Sequence, residues 1–294
     1  MRKLEIPKTA FFNPQSEISG CPMEDQKRRQ VEYHEREHFC AREPRRADNC
    51  NPLVSWLNGY RLRKMVEMIG VPLAGKSVLC VCGGDGEEAD LLQRLGAVVT
   101  TTDLSAAGVE AARVRNPALR CLRMDAESLA FADGSFDWAV VRDGLHHLAR
   151  PVKGLYELER ISREGFAILE GQDSWLVRML VKLRLGENWD PAGGYVYRFG
   201  RRDLYKILSS VQTVSRWQIF TAWLPPGSDT VKHFSIAMRF VNPAVNQPFI
   251  YRLLTSKPGR YLLKALFHGV QRAAGRWGNT LILVAWKKRI STAS

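Results

Sequence analysis

The stretch that most constrains how this chain folds is Lys76 to Asp103, KSVLCVCGGDGEEADLLQRLGAVVTTTD. Ser77 to Cys82 reads as a buried strand, Gly83, Gly84, Asp85 and Gly86 as a tight turn, and Glu87 to Leu95 as an amphipathic helix. Ala97 to Thr102 reads as a second strand that ends on an acid. Strand, glycine turn, helix N-terminus and terminal acid form a nucleotide-handling crossover, because only glycine lets backbone pass that close to a ligand. Asp103 then stands where a carboxylate accepts both hydroxyls of a ribose. A dinucleotide site also needs a third glycine on the following helix, and none is present. Glu87 and Glu88 suit the positive end of that helix but repel a pyrophosphate. A ligand with ribose, adenine and a cationic centre fits better than one with two phosphates.

Gly84, Gly86 and Asp103 at this spacing resemble motifs I and II of the class I S-adenosylmethionine-dependent methyltransferases. Two positions depart from that pattern: the acid of the family's first strand is Cys80 here, and the first glycine of its turn is Cys82. A second match lies in Ser135 to Leu148, SFDWAVVRDGLHHL, where a buried strand, Phe136 to Val141, runs into Arg142, Asp143, Gly144, Leu145, His146 and His147. This is similar to the family's segment after the fourth strand, a hydrophobic run followed by L-H-H-L. The resemblance covers Val71 to Phe220 and is silent on substrate.

It implies a Rossmann-like sheet of seven strands with helices on both faces, an N-terminal helical lid, and a helical insertion before the last strand. The implied cofactor is S-adenosyl-L-methionine, with S-adenosyl-L-homocysteine as product and no metal. Gly83, Gly84 and Gly86 form the turn, Asp103 holds the ribose, and Asp125 accepts from the adenine amino group. On the residues alone, Asp125 reads equally as a cap for a short helix near Ser128. The backbone after Val141 faces the methionyl portion, and Cys82, Leu104, Ala126, Arg142 and Tyr33 also lie against the cofactor.

A sulfonium methyl carbon is already electrophilic, so the protein must align an acceptor and take its proton. Histidine titrates near neutral pH, which makes His146 and His147 candidate bases. Glu170 and Asp173, at the tip of a fifth strand from Glu164 to Glu170, are rivals for the base or for binding the acceptor; each also reads as half of a solvated loop pair. Tyr195 and Tyr197, beside Gly193 and Gly194, read as a hinged wall of the acceptor pocket. Glu24 to Cys40 reads as a charged helix that carries Tyr33 and His34, a lid over the cofactor mouth or a surface helix docked by Phe39. Cys21, His34, His38 and Cys40 match no familiar zinc spacing.

At 294 residues and 45% hydrophobic content, the chain can bury one large α/β core. Residues 1–52 read as an arm and lid helix, and 53–294 as one domain with cap insertions at about 173–200 and 229–277. Val214 to Ala222 is expected as a sixth strand and Leu281 to Trp286 as a seventh, antiparallel at the sheet edge. Six scattered cysteines suggest a reducing compartment rather than a disulfide framework. Without a long apolar run, neither a leader nor a membrane span is expected, and the chain is assigned to the cytoplasm.

Net charge is +13, and Thr230 to Ser294 contains eleven Lys and Arg residues with no acid. Within it, Leu253, Leu254, Leu262, Leu263, Leu266 and Phe267 alternate with Lys257, Arg260, Lys264 and Arg272 as a basic amphipathic cap. Such a cap suits a lipid-like, aromatic or anionic acceptor, contact with a peripheral membrane or anionic surface, or a homo-oligomer interface. The expected function is methyl transfer to a small molecule, at oxygen, on a secondary-metabolite, lipid-like or glycan acceptor, with no nucleic-acid partner. An RNA methyltransferase that uses the basic tail is one alternative, and a non-catalytic cofactor-binding scaffold is the other.

Overall fold

The computed structural model describes residues 22–41, 52–183, 188–189, 194–222 and 256–288. Residues 1–21 of the expected arm, Cys50, Gly193 and residues 229–255 of the expected insertion at 229–277 lie outside them. In chain order the elements are α1 (Pro22–Ala41), α2 (Pro52–Ile69), β1 (Ser77–Val81), α3 (Glu87–Arg94), β2 (Val98–Asp103), α4 (Ala106–Arg115), β3 (Arg120–Arg123) and β4 (Phe136–Arg142). They continue with a 3-10 turn (Leu145–His147), α5 (Pro151–Ile161), β5 (Ser162–Gly171), α6 (Trp175–Lys182), α7 (Arg201–Ser210), β6 (Val214–Ala222), α8 (Lys257–Ala274), a second 3-10 turn (Gly275–Trp277) and β7 (Thr280–Lys287).

The strands form one seven-stranded sheet in the order β3-β2-β1-β4-β5-β7-β6. β1 through β5 pair in parallel, whereas β7 runs antiparallel to both β5 and β6. Thus β7 is not the edge strand that the sequence suggests. Leu281, Ile282, Leu283, Val284 and Ala285 all have zero exposure, as a strand covered on both faces requires. β6, buried only at its ends and exposed or half-buried from Ser215 to Phe220, takes the edge.

Leu62, Met65 and Ile69 of α2, Ala89 and Leu92 of α3 and Val109 and Ala112 of α4 fill one face of the sheet. Leu155, Leu158 and Ile161 of α5 and Leu204 and Leu208 of α7 fill the other. Because strand order reverses around β1, a crevice opens beyond the carboxyl ends of β1, β2 and β4, where open parallel sheets place their ligands. The ends of these strands are set by local chemistry. Ser105 caps α4 by accepting from the Gly108 N–H at 3.0 Å, which stops β2 at Asp103.

Candidate active site

The glycine turn is shaped from below. A side chain at Gly83 would run into Thr101 Oγ1 on β2, and Gly84 and Gly86 take left-handed φ values of 48° and 77°. This aims the Gly84 N–H at Asp103 Oδ2, 2.8 Å away, while the Ser105 N–H donates to Oδ1 at 2.8 Å. Each oxygen of Asp103 is therefore steered by one backbone donor and retains a lone pair. Cys82 occupies the same left-handed region at φ 53° without being glycine. Its side chain fills the space that a glycine there would leave, against Gly144. Burial and the surrounding carboxylates, Asp103 first among them, push its thiol well above the ordinary range.

Glu87 and Glu88 face a cation at the end of β4. Arg142 Nη1 lies 2.7 Å from Glu87 Oε2, and Nη2 lies 3.0 Å from Glu88 Oε2. Burial pushes Glu88 up to about 7 despite Arg142, and the two glutamates hold the Arg142 guanidinium firmly protonated. The next residue, Asp143, has φ 49° and accepts from the buried Arg61 of α2 at 2.7 Å. Burial alone would raise its carboxyl, but Arg61 holds it below its usual range. Arg142, read from sequence as a cofactor contact, is thus committed to bridging β4 and α3.

Glu170 requires a correction. It is neither a solvated tip residue nor a base that reaches an acceptor, because its exposure is zero. Its Oε1 accepts from the Gly144 and Leu145 N–H groups at 2.8 and 2.6 Å, and its Oε2 lies 2.7 Å from His146 Nδ1. A carboxylate can only accept here, so Nδ1 carries the imidazole proton and Nε2 is the basic nitrogen. Glu170 is a positioning residue for His146. The His147 ring lies tilted against His146, at a centroid distance of 4.0 Å, and meets His34 edge-on at 4.9 Å.

His34 comes from α1, which lies across the crevice. Lys27 Nζ is 2.6 Å from Asp125 Oδ2 and 3.3 Å from Glu127 Oε2, and Glu35 accepts from the Ala106 and Ala107 N–H groups at 2.6 and 3.1 Å. Burial would lower the Lys27 ammonium, but Asp125 and Glu127 together outweigh this and raise it. Tyr33 packs edge-on against His34 at 5.3 Å. Between Lys27 and His34, Gln30 is 5% exposed, has no hydrogen-bond partner among the described residues, and faces Gly194.

The remaining predicted residues are spread more widely. Leu104 is half-buried and its carbonyl accepts from Arg123, whereas the side chain of Ala126 belongs to the core below α5. Asp125 Oδ1 accepts from the Glu127 N–H at 2.8 Å. Asp173 pairs with Arg178 at 3.1 Å, Tyr197 packs edge-on against Phe199, and Tyr195 is exposed and pairs with Trp189. Sequence reasoning passed over Lys27, Gln30, Glu35 and Arg61. The spacing of Lys27, Gln30 and His34 places all three on one helix face, and that was the available signal.

Residues 79–169 match the methyltransferase domain family. A demethylmenaquinone methyltransferase of Clavibacter sepedonicus is 32% identical over 125 residues, 42% of this chain and 51% of that protein. A probable phthiotriol/phenolphthiotriol dimycocerosates methyltransferase of Mycobacterium ulcerans is 38% identical over 97 residues, 32% of this chain and 38% of that protein. The chain spans about half the length, or less, of these curated relatives. Among solved structures, a putative methyltransferase of Bacillus halodurans superposes with a TM-score of 0.50 at 17% identity, covering 77% of this chain and 98% of that one, and shares the fold.

Proposed function

From the premise that this chain carries a class I S-adenosylmethionine-dependent methyltransferase domain, we propose that it methylates a small, hydroxyl-bearing acceptor, at oxygen, with His146 as the base. The observation that carries the reading is the chain of contacts from buried Glu170 to His146 at the end of β4, the strand next to β1 and its glycine turn.

The donor set suits the cofactor. Asp103 accepts a backbone N–H at each oxygen and keeps capacity for two ribose hydroxyls. When bound, S-adenosylmethionine supplies an electrophilic methyl carbon. The chain's own work is to bind, orient and take a proton. Asp103 grips the sugar, Asp125 and the backbone beside Ala126 face the adenine, and α1 closes the crevice through Lys27 and Glu35. With the cofactor bound, His146 Nε2 would accept the acceptor's hydroxyl proton, so that the oxygen could take the methyl group while the carbon–sulfur bond breaks and its electron pair stays on sulfur, leaving the neutral thioether of S-adenosylhomocysteine. Glu170, held against Nδ1, stabilises the imidazolium that results.

The names of the relatives direct the acceptor search to demethylmenaquinone, in its reduced, hydroxyl-bearing quinol form, and to phthiotriol dimycocerosates. The test is incubation of the full chain with methyl-labelled S-adenosylmethionine and each of these acceptors, followed by mass spectrometry. A product carrying one methyl group, placed on oxygen by fragmentation, whose formation drops in His146→Ala supports the proposal, and a methyl group on carbon removes the assignment to oxygen. Transfer that is unchanged in His146→Ala removes the base assignment, and transfer to RNA in their place removes the acceptor class.

A further inference from the structure

We propose that α8 is a membrane-docking helix that seats the protein on an anionic bilayer beside its acceptor entrance. α8 has 18 residues, is capped by Ser256 and contains no acid. At 3.6 residues per turn, Lys257 and Arg272 fall on one side with Arg260 and Lys264 between them in the spacing, and Leu262, Val270 and Ala273 fall on the opposite side. In a helix that only covers its own domain, the apolar side is the hidden one. Here Leu262 is 59% and Val270 48% exposed, and Ala273 is exposed as well. Trp277, 38% exposed with the Arg276 guanidinium 4.5 Å from its ring, adds an amphipathic ring of the kind that settles at headgroup depth.

Charge selects the occupant. A chain of net charge +13 whose last 65 residues hold eleven cations and no anion is matched by an anionic lipid surface. No described helix is long and apolar enough to cross a membrane, so α8 lies along the surface. Its end is also fastened to the candidate site. Gln172 Nε2 donates to the Arg276 carbonyl at 3.1 Å and Ser174 Oγ to the Trp277 carbonyl at 2.8 Å, directly after Glu170 on β5. A bilayer under α8 therefore lies next to the loop that follows β5, which suits a lipid-soluble acceptor. That last point rests on the methyltransferase reading, whereas docking itself does not.

The test is co-sedimentation of the full chain with phosphatidylcholine vesicles, with and without phosphatidylglycerol. Binding is expected only with phosphatidylglycerol and should be lost at high salt. Leu262→Glu/Val270→Glu should weaken it by more than about tenfold, as loss of two inserted apolar groups requires, and Lys257→Glu/Arg272→Glu should do the same. Both variants should bind S-adenosylhomocysteine as the parent does, which shows that they fold and separates a failure of docking from a failure of the cofactor reading. Docking is overturned by the absence of vesicle binding, or by binding that ignores Leu262→Glu/Val270→Glu. It is equally overturned if the parent binds an RNA oligonucleotide in place of vesicles, or if the apolar pair proves to hold a homodimer that Leu262→Glu/Val270→Glu dissociates.

Discussion

Glu170 Oε2 and His146 Nδ1 lie 2.7 Å apart, and the same fully buried carboxylate is held in place by the N–H groups of Gly144 and Leu145. The end of β4 is thereby folded around an acid from β5, and that acid selects the tautomer of the histidine. Glu170→Gln retains an oxygen for the two backbone donors but presents an NH₂ group to His146, which reverses the tautomer. We expect kcat to fall about a hundredfold with cofactor affinity unchanged, and the ¹⁵N spectrum of His146 to show the proton moved from Nδ1 to Nε2. An unaltered spectrum would detach Glu170 from the base.

Glu88 is 2% exposed, and its pKa is pushed from 4.5 to about 7, first by burial. The folded protein holds this proton more tightly than the unfolded chain, so stability falls as pH rises from about 4.5 to about 7. Above that window Glu88→Gln should be more stable than the parent by about 1 to 3 kcal/mol, and below it the two should converge. Urea unfolding at pH 4 and pH 8 measures the difference. Equal destabilisation at both pH values would mean that Glu88 is kept as the ionised partner of Arg142.

Cys82 and Gly144 share one small space. A Cβ at position 144 would meet the Cys82 side chain, with Sγ at 3.1 Å, and Val141 Cγ2 at 3.0 Å. Gly144→Ala should cost about 1 to 3 kcal/mol, and Cys82→Gly in the same chain should recover part of that cost while removing the left-handed strain at position 82. A double-mutant cycle by denaturant unfolding checks the coupling. Additive effects would show that the two residues do not compete for the space.

Lys27 ties α1 to Asp125 and Glu127 across the crevice mouth. Lys27→Ala should leave the melting temperature nearly unchanged, because the ion pair is partly solvated, yet speed S-adenosylhomocysteine release about fivefold. Stopped-flow dissociation reads this directly. An unchanged rate would make α1 a surface helix and not a lid.

Much of this architecture is legible along the chain. Buried runs such as Leu79 to Val81 and Phe166 to Leu169 announce central parallel strands, and the L-H-H-L segment marks where the fourth strand ends. What sequence does not carry is the direction in which a polar side chain turns. Glu170 and Asp173 are both acids at the end of β5, yet one is fully buried under backbone donors and the other pairs with Arg178 near the surface. The position of β7 between β5 and β6 is likewise a matter of long-range register, to which its uninterrupted LILVA run was the only local clue. Lys27 and Arg61 looked like ordinary surface charges because their partners, Asp125 and Asp143, lie 98 and 82 residues away.

The most direct test of the account is calorimetric titration of S-adenosylhomocysteine into the parent chain and into Asp103→Asn, which keeps the side chain's shape but turns one accepting oxygen into a donor. We predict micromolar binding by the parent and a loss of about tenfold to a hundredfold in the variant. No binding by the parent, or equal affinity in the two proteins, would contradict the assignment of this crevice to an adenosyl cofactor.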